Sequence, residues 1–271
     1  MSPGQSGTPG RRAQGTTLGP VHVGSPHVGP RSAASGTVLC IVPALNEEAT
    51  VAAVVAAIRA DLGADVVVID DGSRDATGVV ARQAGAAVVR HPFNLGVGAA
   101  LRTGFRYARD EGYKVVVQID ADGQHDTGDA AVLVDEIESG RADIAIGSRF
   151  ASGYEVGGLR RLGMRWLSRT VSKRLGVPIT DTTSGFRAFS AEAVSRFALA
   201  YPSQYLSDTV EALLMAHDWN LQVVEVPVRM HARQGGTASA GRFKSLYHMV
   251  RLQLVVALHG VRRPIVDMGP V

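Results

Sequence analysis

Residues 115–126 read VVVQIDADGQHD, a run of β-branched residues that ends in a group of polar side chains. Short apolar runs of this kind, bounded by turn residues, are typical of buried strands. Side chains of a strand alternate between its two faces, so Asp120 and Asp122 point to the same side with only the small Ala121 between them. The stretch therefore predicts a buried strand that ends at a site rich in oxygen ligands.

The polar residues of this stretch suit a divalent metal ion. The carboxylates of Asp120 and Asp122 and the amide oxygen of Gln124 are hard ligands of the kind that Mg²⁺ or Mn²⁺ binds. A calcium loop of the EF-hand type does not fit, because Ala131 stands at its twelfth position, where a glutamate is needed. A solvated acidic turn is the alternative that spacing alone leaves open.

The composition is that of an ordinary globular chain that can bury a core. Of the 271 residues, 45% are hydrophobic and 20% are charged. The single cysteine, Cys40, lies in an apolar run and has no partner for an internal disulfide. We therefore expect a buried free thiol and a reducing, cytoplasmic setting.

The first 36 residues differ from the rest of the chain. They are rich in Gly, Pro and Ser and contain three arginines but no acid, which predicts a disordered tail. The remaining residues carry 25 basic and 25 acidic side chains, so a nucleic-acid-binding function is disfavoured. The sequence has neither the pattern of a secretory signal nor an apolar run long enough to span a membrane.

Short apolar runs alternate with helical patterns along residues 37–241. This alternation predicts an α/β fold, a Rossmann-like, mostly parallel sheet with helices on both faces, built as a single domain. Residues 242–271 are expected to form a basic amphipathic helix and a tail. The predicted strands are 38–42, 66–69, 87–89, 115–119, 144–146 and 223–228, and helix faces are predicted from residues 51–62 and 97–108.

Polar residues follow three of these strands. The sequence PALNE, residues 43–47, follows the first strand, and DDGS, residues 70–73, follows the second. Because ligands bind at the carboxyl ends of parallel strands, we expect these groups and Asp120 to face one crevice. Helix capping by Asn46 and Ser73 is the alternative interpretation.

The pair of glycines at 96 and 98 lacks the third small residue of a dinucleotide fingerprint, since Leu101 occupies that position.

Two later regions contain bases and no acids. Residues 157–180 include six Lys or Arg together with apolar residues at helical spacing, and residues 229–263 include seven. A basic amphipathic helix suits the anionic surface of a membrane, which would make the protein peripheral on the inner face of the membrane. A solvated basic face, or a helix at a homodimer interface, is the alternative.

Five motifs in order resemble those of glycosyltransferase family 2, a family with the GT-A fold, and most of all its polyprenyl (dolichol) phosphate mannosyltransferases and glucosyltransferases. The resemblance covers residues 37 to about 260. The motifs are PALNE at 43–47, DDGS at 70–73, DADGQHD at 120–126, GSR at 147–149 and DTTSGFR at 181–187.

The resemblance implies roles for individual residues. Asp120 and Asp122 occupy the family's Asp-x-Asp positions, and Gln124 matches a further metal ligand. Residues at the positions where the family binds the nucleotide sugar are Pro43, Leu45, Glu47, Val68, Asp70, Asp120 and Ala121, with Arg149, Arg229 and Arg233 at donor-phosphate positions. One departure is that QGGTAS, residues 234–239, stands where dolichol-phosphate enzymes tend to have a lysine.

The implied reaction is metal-dependent transfer of a sugar from a UDP-, GDP- or TDP-sugar to an acceptor, with inversion. Catalysis would involve Asp122 and, for a hydroxyl acceptor, Asp208 as the base. Asp208 as an ordinary acid in the first turn of a helix is the alternative. A polyprenyl phosphate acceptor would need no strong base, because it is already anionic.

Three other functions remain to be distinguished from this one. The runner-up is a soluble family 2 glycosyltransferase that acts on a hydroxyl of a small metabolite or glycan. A nucleotidyltransferase is disfavoured, since no early glycine-rich signature with a lysine or arginine is present. A non-catalytic nucleotide-sugar sensor is disfavoured by the intact pair of carboxylates at Asp120 and Asp122.

Overall fold

The computed structural model describes residues 37–149, 158–202 and 208–229, together with Met1. The predicted tail at 1–36, the predicted helix at 242–271 and Arg233 lie outside the described residues. Within the described residues the strands are β1 (Val38–Ala44), β2 (Asp65–Asp70), β3 (Ala87–Arg90), β4 (Val115–Gln118), β5 (Ile144–Ser148), β6 (Arg187–Ser190) and β7 (Val223–Pro227). The helices are α1 (Val51–Leu62), α2 (Thr77–Gln83), α3 (Val97–Asp110), α4 (Ala130–Glu138), α5 (Gly158–Leu175), α6 (Ala191–Ala200) and α7 (Asp208–Asp218).

These strands form one sheet with the order β3-β2-β1-β4-β6-β5-β7. Neighbouring strands are parallel except β6, which runs antiparallel to both β4 and β5. The predicted α/β fold with a mostly parallel sheet is therefore confirmed. The carboxyl ends of β1, β2, β4, β5 and β7 lie at the same edge, which is called the carboxyl edge below.

All six predicted strands are present, and β6 is the strand that the sequence pattern did not reveal. It is four residues long and begins with Arg187, which is fully buried. A buried arginine interrupts the apolar run by which a central strand is recognised. The bounds of the predicted strands differ by at most two residues; β1 and β5 each continue two residues further than predicted, to Ala44 and Ser148.

Each face of the sheet carries an apolar core covered by helices. Leu39 and Ile41 of β1 pack on the side of α3, α5, α6 and α7, while Cys40 and Val42 pack on the side of α1, α2 and α4. This alternation explains why β1 is apolar throughout, since both of its faces are buried. Burial also raises the pKa of the Cys40 thiol to about 12, so this cysteine remains protonated at neutral pH.

The helix α3 carries the predicted apolar face and lies close to the sheet. A Cβ added at Gly104 would come within 2.5 Å of the Ile41 side chain, so only glycine allows this approach. Phe105 follows Gly104 directly in α3, and its ring lies 4.9 Å from Phe189 of β6 and 5.2 Å from Tyr201, measured between ring centroids. This aromatic cluster packs α3 against β6 and the end of α6.

The helix α5 confirms the basic amphipathic helix predicted in residues 157–180. Leu167 and Val171 are buried in the core, and Arg165, Arg169 and Lys173 are exposed. These three bases recur every four residues, so they form one stripe along the outer face of the helix. In the part of the chain that the structure describes, none of the helices is both long and apolar enough to cross a membrane.

Candidate active site

The loops that follow β1 and β2 hold each other at the carboxyl edge. Ser73 Oγ accepts a hydrogen bond from Asn46 N at 3.0 Å, and Thr77 Oγ1 accepts one from Glu47 N at 2.8 Å. Neither Asn46 nor Ser73 caps a helix, so the capping interpretation is wrong. The two loops form one fixed wall, on which the side chain of Leu45 is 38% exposed.

Asp70, at the end of β2, does not face the crevice as the sequence predicted. The side chains of Val68 and Asp70 have no exposed surface. Asp70 Oδ1 accepts a hydrogen bond from Ser73 N at 2.8 Å, and a Cβ at Gly78 would lie 2.7 Å from Asp70 Oδ2. The carboxylate points inward because it holds the turn after β2 and packs against α2.

The loop after β4 presents the two carboxylates predicted to bind a metal. The side chain of Asp120 is 41% exposed, and Asp122 Oδ1 accepts a hydrogen bond from Gln124 N at 3.1 Å. His125 is buried beneath the loop, where its ring stacks on Phe186 with centroids 4.8 Å apart. Its Nδ1 accepts a hydrogen bond from Asp120 N at 3.3 Å, so the histidine supports the loop from below.

The ligands present fit a metal that is completed by substrate. Among residues 37–149, 158–202 and 208–229, no three acidic, histidine or cysteine side chains are grouped to enclose a metal. Mg²⁺ is usually bound by one or two carboxylates together with substrate phosphates, and Asp120 and Asp122 with the amide of Gln124 meet that requirement. A Cβ at Gly185 would lie 3.0 and 3.1 Å from the two Asp120 carboxylate oxygens, so this glycine leaves room for the carboxylate.

A buried charged cluster lies next to this loop. Arg187 has no exposed surface and donates hydrogen bonds to the carbonyl oxygens of Thr182, Ser184 and Thr209 at 2.9–3.2 Å. The third of these carbonyls belongs to the first turn of α7, so the arginine joins β6 to the start of that helix. The burial of this guanidinium lowers its pKa, and nearby acids, including Asp208, oppose the shift.

Asp208 is the first residue of α7 and is only 3% exposed. Burial raises its pKa to about 6, the negative charge of Asp120 adds to the rise, and the Thr209 backbone amide and the charge of Arg187 oppose it. Asp208, the predicted base, and Asp120, a predicted metal ligand, are therefore close enough for the charge of one to affect the pKa of the other. An acid with this pKa can accept a proton near neutral pH.

Two of the predicted arginines lie at the carboxyl edge, and each is paired with acids in a way that the sequence did not predict. Arg149 follows β5, and its Nε lies 3.0 Å from Asp181 Oδ2. Arg229 follows β7, and its Nη2 lies 2.8 Å from Asp129 Oδ1 and 3.2 Å from Asp126 Oδ2. These pairs join positions up to 100 residues apart, so no local pattern reveals them.

The comparisons with known proteins agree with this geometry. The family model described as Glycosyl transferase family 2 matches residues 39–197. The polyprenol monophosphomannose synthase of Mycolicibacterium smegmatis is 34% identical over 74% of this chain and 79% of that protein. The undecaprenyl-phosphate mannosyltransferase of Micrococcus luteus is 30% identical over 73% of this chain and 85% of that protein.

Solved structures have the same fold. Glucosyl-3-phosphoglycerate synthase from Mycobacterium tuberculosis, in complex with Mn²⁺, UDP and glucosyl-3-phosphoglycerate, superimposes with a TM-score of 0.62 and 24% identity, covering 86% of this chain and 82% of that one. Together, the family match, the fold and the site define a glycosyltransferase. This chain belongs to glycosyltransferase family 2.

Proposed function

We propose that the protein is an inverting, metal-dependent glycosyltransferase that transfers a sugar from a nucleoside-diphosphate sugar to a polyprenyl phosphate. The observation that carries the proposal is the arrangement of opposite charges at the carboxyl edge. Asp120 and Asp122 supply the negative groups that attract a divalent cation, while Arg149 and Arg229 supply the positive groups that attract a diphosphate. A nucleotide sugar bound with a metal needs both kinds of group side by side.

The nucleoside is expected to bind along the wall made by the first two loops. Pro43, Leu45 and Glu47 would form its surface, and the buried Val68 and Asp70 would act by holding the strand end and turn in place. Ala121 is buried in the core beneath the loop after β4, so it would act by holding the two carboxylates on either side of it in place.

The diphosphate is expected to bind between Asp122 and the arginines Arg149, Arg229 and Arg233. Bound Mg²⁺ or Mn²⁺, held by Asp120, Asp122 and Gln124, would supply positive charge to the departing diphosphate. The arginines would stabilise the same charge, which grows as the bond to the sugar breaks. Because these groups are oriented before the reaction, they would stabilise the transition state more than the ground state.

Three observations support a lipid phosphate acceptor. Two relatives that are at least 30% identical are named as transferases acting on a polyprenol or undecaprenyl phosphate. The stripe of Arg165, Arg169 and Lys173 on α5 would attract anionic headgroups, and Trp166 beside it is 46% exposed. A phosphate acceptor is anionic near neutral pH and can attack the sugar directly. The protein would then be cytoplasmic and peripheral on the inner face of the membrane.

The second candidate function is transfer to a hydroxyl group of a soluble metabolite or glycan. The observation that favours it is the pKa of Asp208, which burial raises to about 6. A hydroxyl must lose its proton as it attacks, and a base with a pKa slightly below neutral is suited to accept it. In that case the stripe on α5 would be a solvated face or part of a homodimer interface.

A thermal-shift screen tests the donor class. The full-length protein is mixed with UDP-, GDP- and TDP-sugars, each with Mn²⁺, with Mg²⁺ and with EDTA. A ligand that binds only the folded state raises the melting temperature, so one base should stabilise the protein in the presence of metal. Stabilisation by none of the nucleotide sugars would refute the proposed function.

A flotation assay separates the two acceptor classes. Vesicles of phosphatidylcholine with phosphatidylglycerol should carry the protein to the top of the gradient, and vesicles of phosphatidylcholine alone should not. Replacing Arg165 and Arg169 by glutamate should abolish flotation, and the same change at Arg82, exposed on α2, is the control. Absence of flotation with either kind of vesicle would favour the soluble acceptor, and flotation that does not depend on lipid charge would argue against a role for the stripe on α5.

A further inference from the structure

We propose that Asp181 is a positioning residue that orients Arg149 toward the donor diphosphate, and that Glu225 holds the turn on which Asp181 lies. The inference rests on the proposed function, in which Arg149 binds the diphosphate. It assigns a role to Asp181, the first residue of the motif DTTSGFR at 181–187, which also contains Gly185 beside Asp120 and the buried Arg187.

Glu225 anchors the turn through both of its carboxylate oxygens. It lies on β7, in register with Ile146 of the neighbouring strand β5. Glu225 Oε2 accepts hydrogen bonds from the backbone N–H groups of Thr180 and Asp181, and Oε1 accepts one from the Thr180 hydroxyl. Hydrogen bonds to an ionised acceptor are short and strong, so the backbone of this turn is held directly by the sheet.

The rest of the motif lies along the carboxyl end of β5. Ser184 Oγ donates a hydrogen bond to Gly147 O at 2.6 Å, and Gly147 N donates one to Phe186 O at 2.8 Å. A Cβ at Gly147 would come within 2.9 Å of the Phe186 ring, so the two segments are in close contact. Arg149 is two residues beyond this contact, which places its backbone beside the turn that Glu225 holds.

Asp181 lies on this fixed turn and contacts Arg149. The acid is 1% exposed, and its Oδ1 accepts hydrogen bonds from Thr183 N at 3.3 Å and Thr183 Oγ1 at 3.0 Å. Its other oxygen, Oδ2, lies 3.0 Å from Arg149 Nε, and the arginine side chain is 26% exposed. A buried, hydrogen-bonded carboxylate has one orientation, so it restricts the rotamers of the arginine before the donor binds.

A contact of this kind can act on donor affinity in two opposite directions. If Asp181 orients the guanidinium, its removal weakens diphosphate binding, because the arginine loses its fixed position. If Asp181 instead only neutralises Arg149, its removal strengthens diphosphate binding, because the positive charge is released. The sign of the change therefore separates a positioning residue from a competing one.

The test measures nucleotide affinity in the full-length protein. Calorimetric titrations with UDP, GDP and TDP, each with Mn²⁺, are made on the wild type and on Asp181→Asn, whose amide can keep the contacts to Thr183. We expect about tenfold weaker binding of the nucleotide that the wild type prefers, the lower end of what outer hydrogen-bond partners contribute at metal sites. Glu225→Gln, which loosens the same turn from β7, should weaken binding in the same direction.

A double-mutant cycle with Arg149→Met separates positioning from a general loss of structure. If Asp181 acts through the arginine, Asp181→Asn should have little further effect on affinity in the Arg149→Met background. The matched control is Asp143→Asn at the opposite end of β5, where that acid accepts hydrogen bonds from Ser190 Oγ and Gln222 N, both at 2.9 Å. This control should leave nucleotide affinity unchanged.

The outcomes distinguish the inference from the function on which it rests. Wild-type protein that binds none of the three nucleotides overturns both. Weaker binding by Arg149→Met combined with unchanged or tighter binding by Asp181→Asn overturns the inference alone. The inference is also overturned if the losses of nucleotide affinity are additive in the variant that combines Asp181→Asn with Arg149→Met. An equal loss of affinity in Asp143→Asn would likewise overturn it, because it would show a general effect on folding.

Discussion

Replacing Asp208 by asparagine is expected to stabilise the protein above pH 6 while removing its candidate base. The pKa of this carboxyl is raised from 3.8 to about 6, so the folded state binds its proton more tightly than the unfolded state. Between these two values the folded state carries more protons, and stability therefore falls as the pH rises through that window. The buried negative charge is the cause, and the substitution removes it.

The magnitude follows from the two pKa values. The interval from 3.8 to about 6, at about 1.4 kcal/mol per pH unit, corresponds to about 3 kcal/mol above pH 7. At pH 5 about half of this cost is present, and at pH 4 most of it is absent, because the carboxyl is then protonated in the folded state. For a domain of this size, about 3 kcal/mol corresponds to a rise in melting temperature of roughly 6–12 °C as an upper limit.

Urea denaturation of wild type and Asp208→Asn at pH 4, 5, 6 and 8 checks this expectation. The stability difference in favour of the variant should grow with pH and level off above pH 7. Asp218→Asn, exposed at the other end of α7, is the control and should stay within about 0.5 kcal/mol of wild type at every pH. A variant that is less stable than wild type, or a difference that does not vary with pH, would refute the reasoning.

The same variant distinguishes the acceptors by activity. Transfer to a hydroxyl acceptor should be lost in Asp208→Asn, because the attacking oxygen keeps its proton. Transfer to a polyprenyl phosphate should continue, because that nucleophile is already anionic. In the wild type, hydroxyl transfer should decline below about pH 6 as Asp208 becomes protonated. Full activity of the variant with a hydroxyl acceptor would remove Asp208 from the mechanism.

Two further predictions concern the metal loop. Asp122→Ala should eliminate metal-dependent binding of the donor, and unchanged nucleotide affinity in calorimetry would contradict the metal assignment. Gly185→Ala should weaken activation by Mn²⁺ or Mg²⁺ by roughly tenfold, because the new methyl group displaces the Asp120 carboxylate. Gly128→Ala, whose Cβ would lie 3.2 Å from Asp126 Oδ1, is the control and should leave metal activation near the wild-type level. Equal effects of the two glycine variants would argue against a specific role for Gly185.

The local pattern was sufficient for most of the fold. Strands buried on both faces are continuous apolar runs, as at 115–118, and a helix beside them has an apolar residue at each turn, as in α3. The pattern could not reveal β6, because its first residue is a buried arginine, which the fold stabilises with the carbonyl groups of Thr182, Ser184 and Thr209 and with nearby acids. Its antiparallel direction likewise depends on its neighbours in the sheet.

For the candidate site, too, the sequence predicted some features and the fold decided others. The acids at 120 and 122 follow β4 within four residues of its end at Gln118, so their position at the carboxyl edge follows from the local pattern, and the family motifs place the arginines in order along the chain. Asp70 belongs to a motif of the same kind, yet its carboxylate is turned into the protein by Ser73 and Gly78. Only the surroundings of a side chain decide whether it faces a crevice or supports a turn.

The sequence by itself determined the family, the α/β architecture and the pair of carboxylates in the loop after β4, because each depends on residues close together in the chain. The tertiary structure alone decided which acids hold Arg149 and Arg229, why Gly185 must lack a side chain, and how far burial raises the pKa of Asp208. Those properties depend on distance and solvent exclusion between segments up to 100 residues apart, and these are set only when the chain folds.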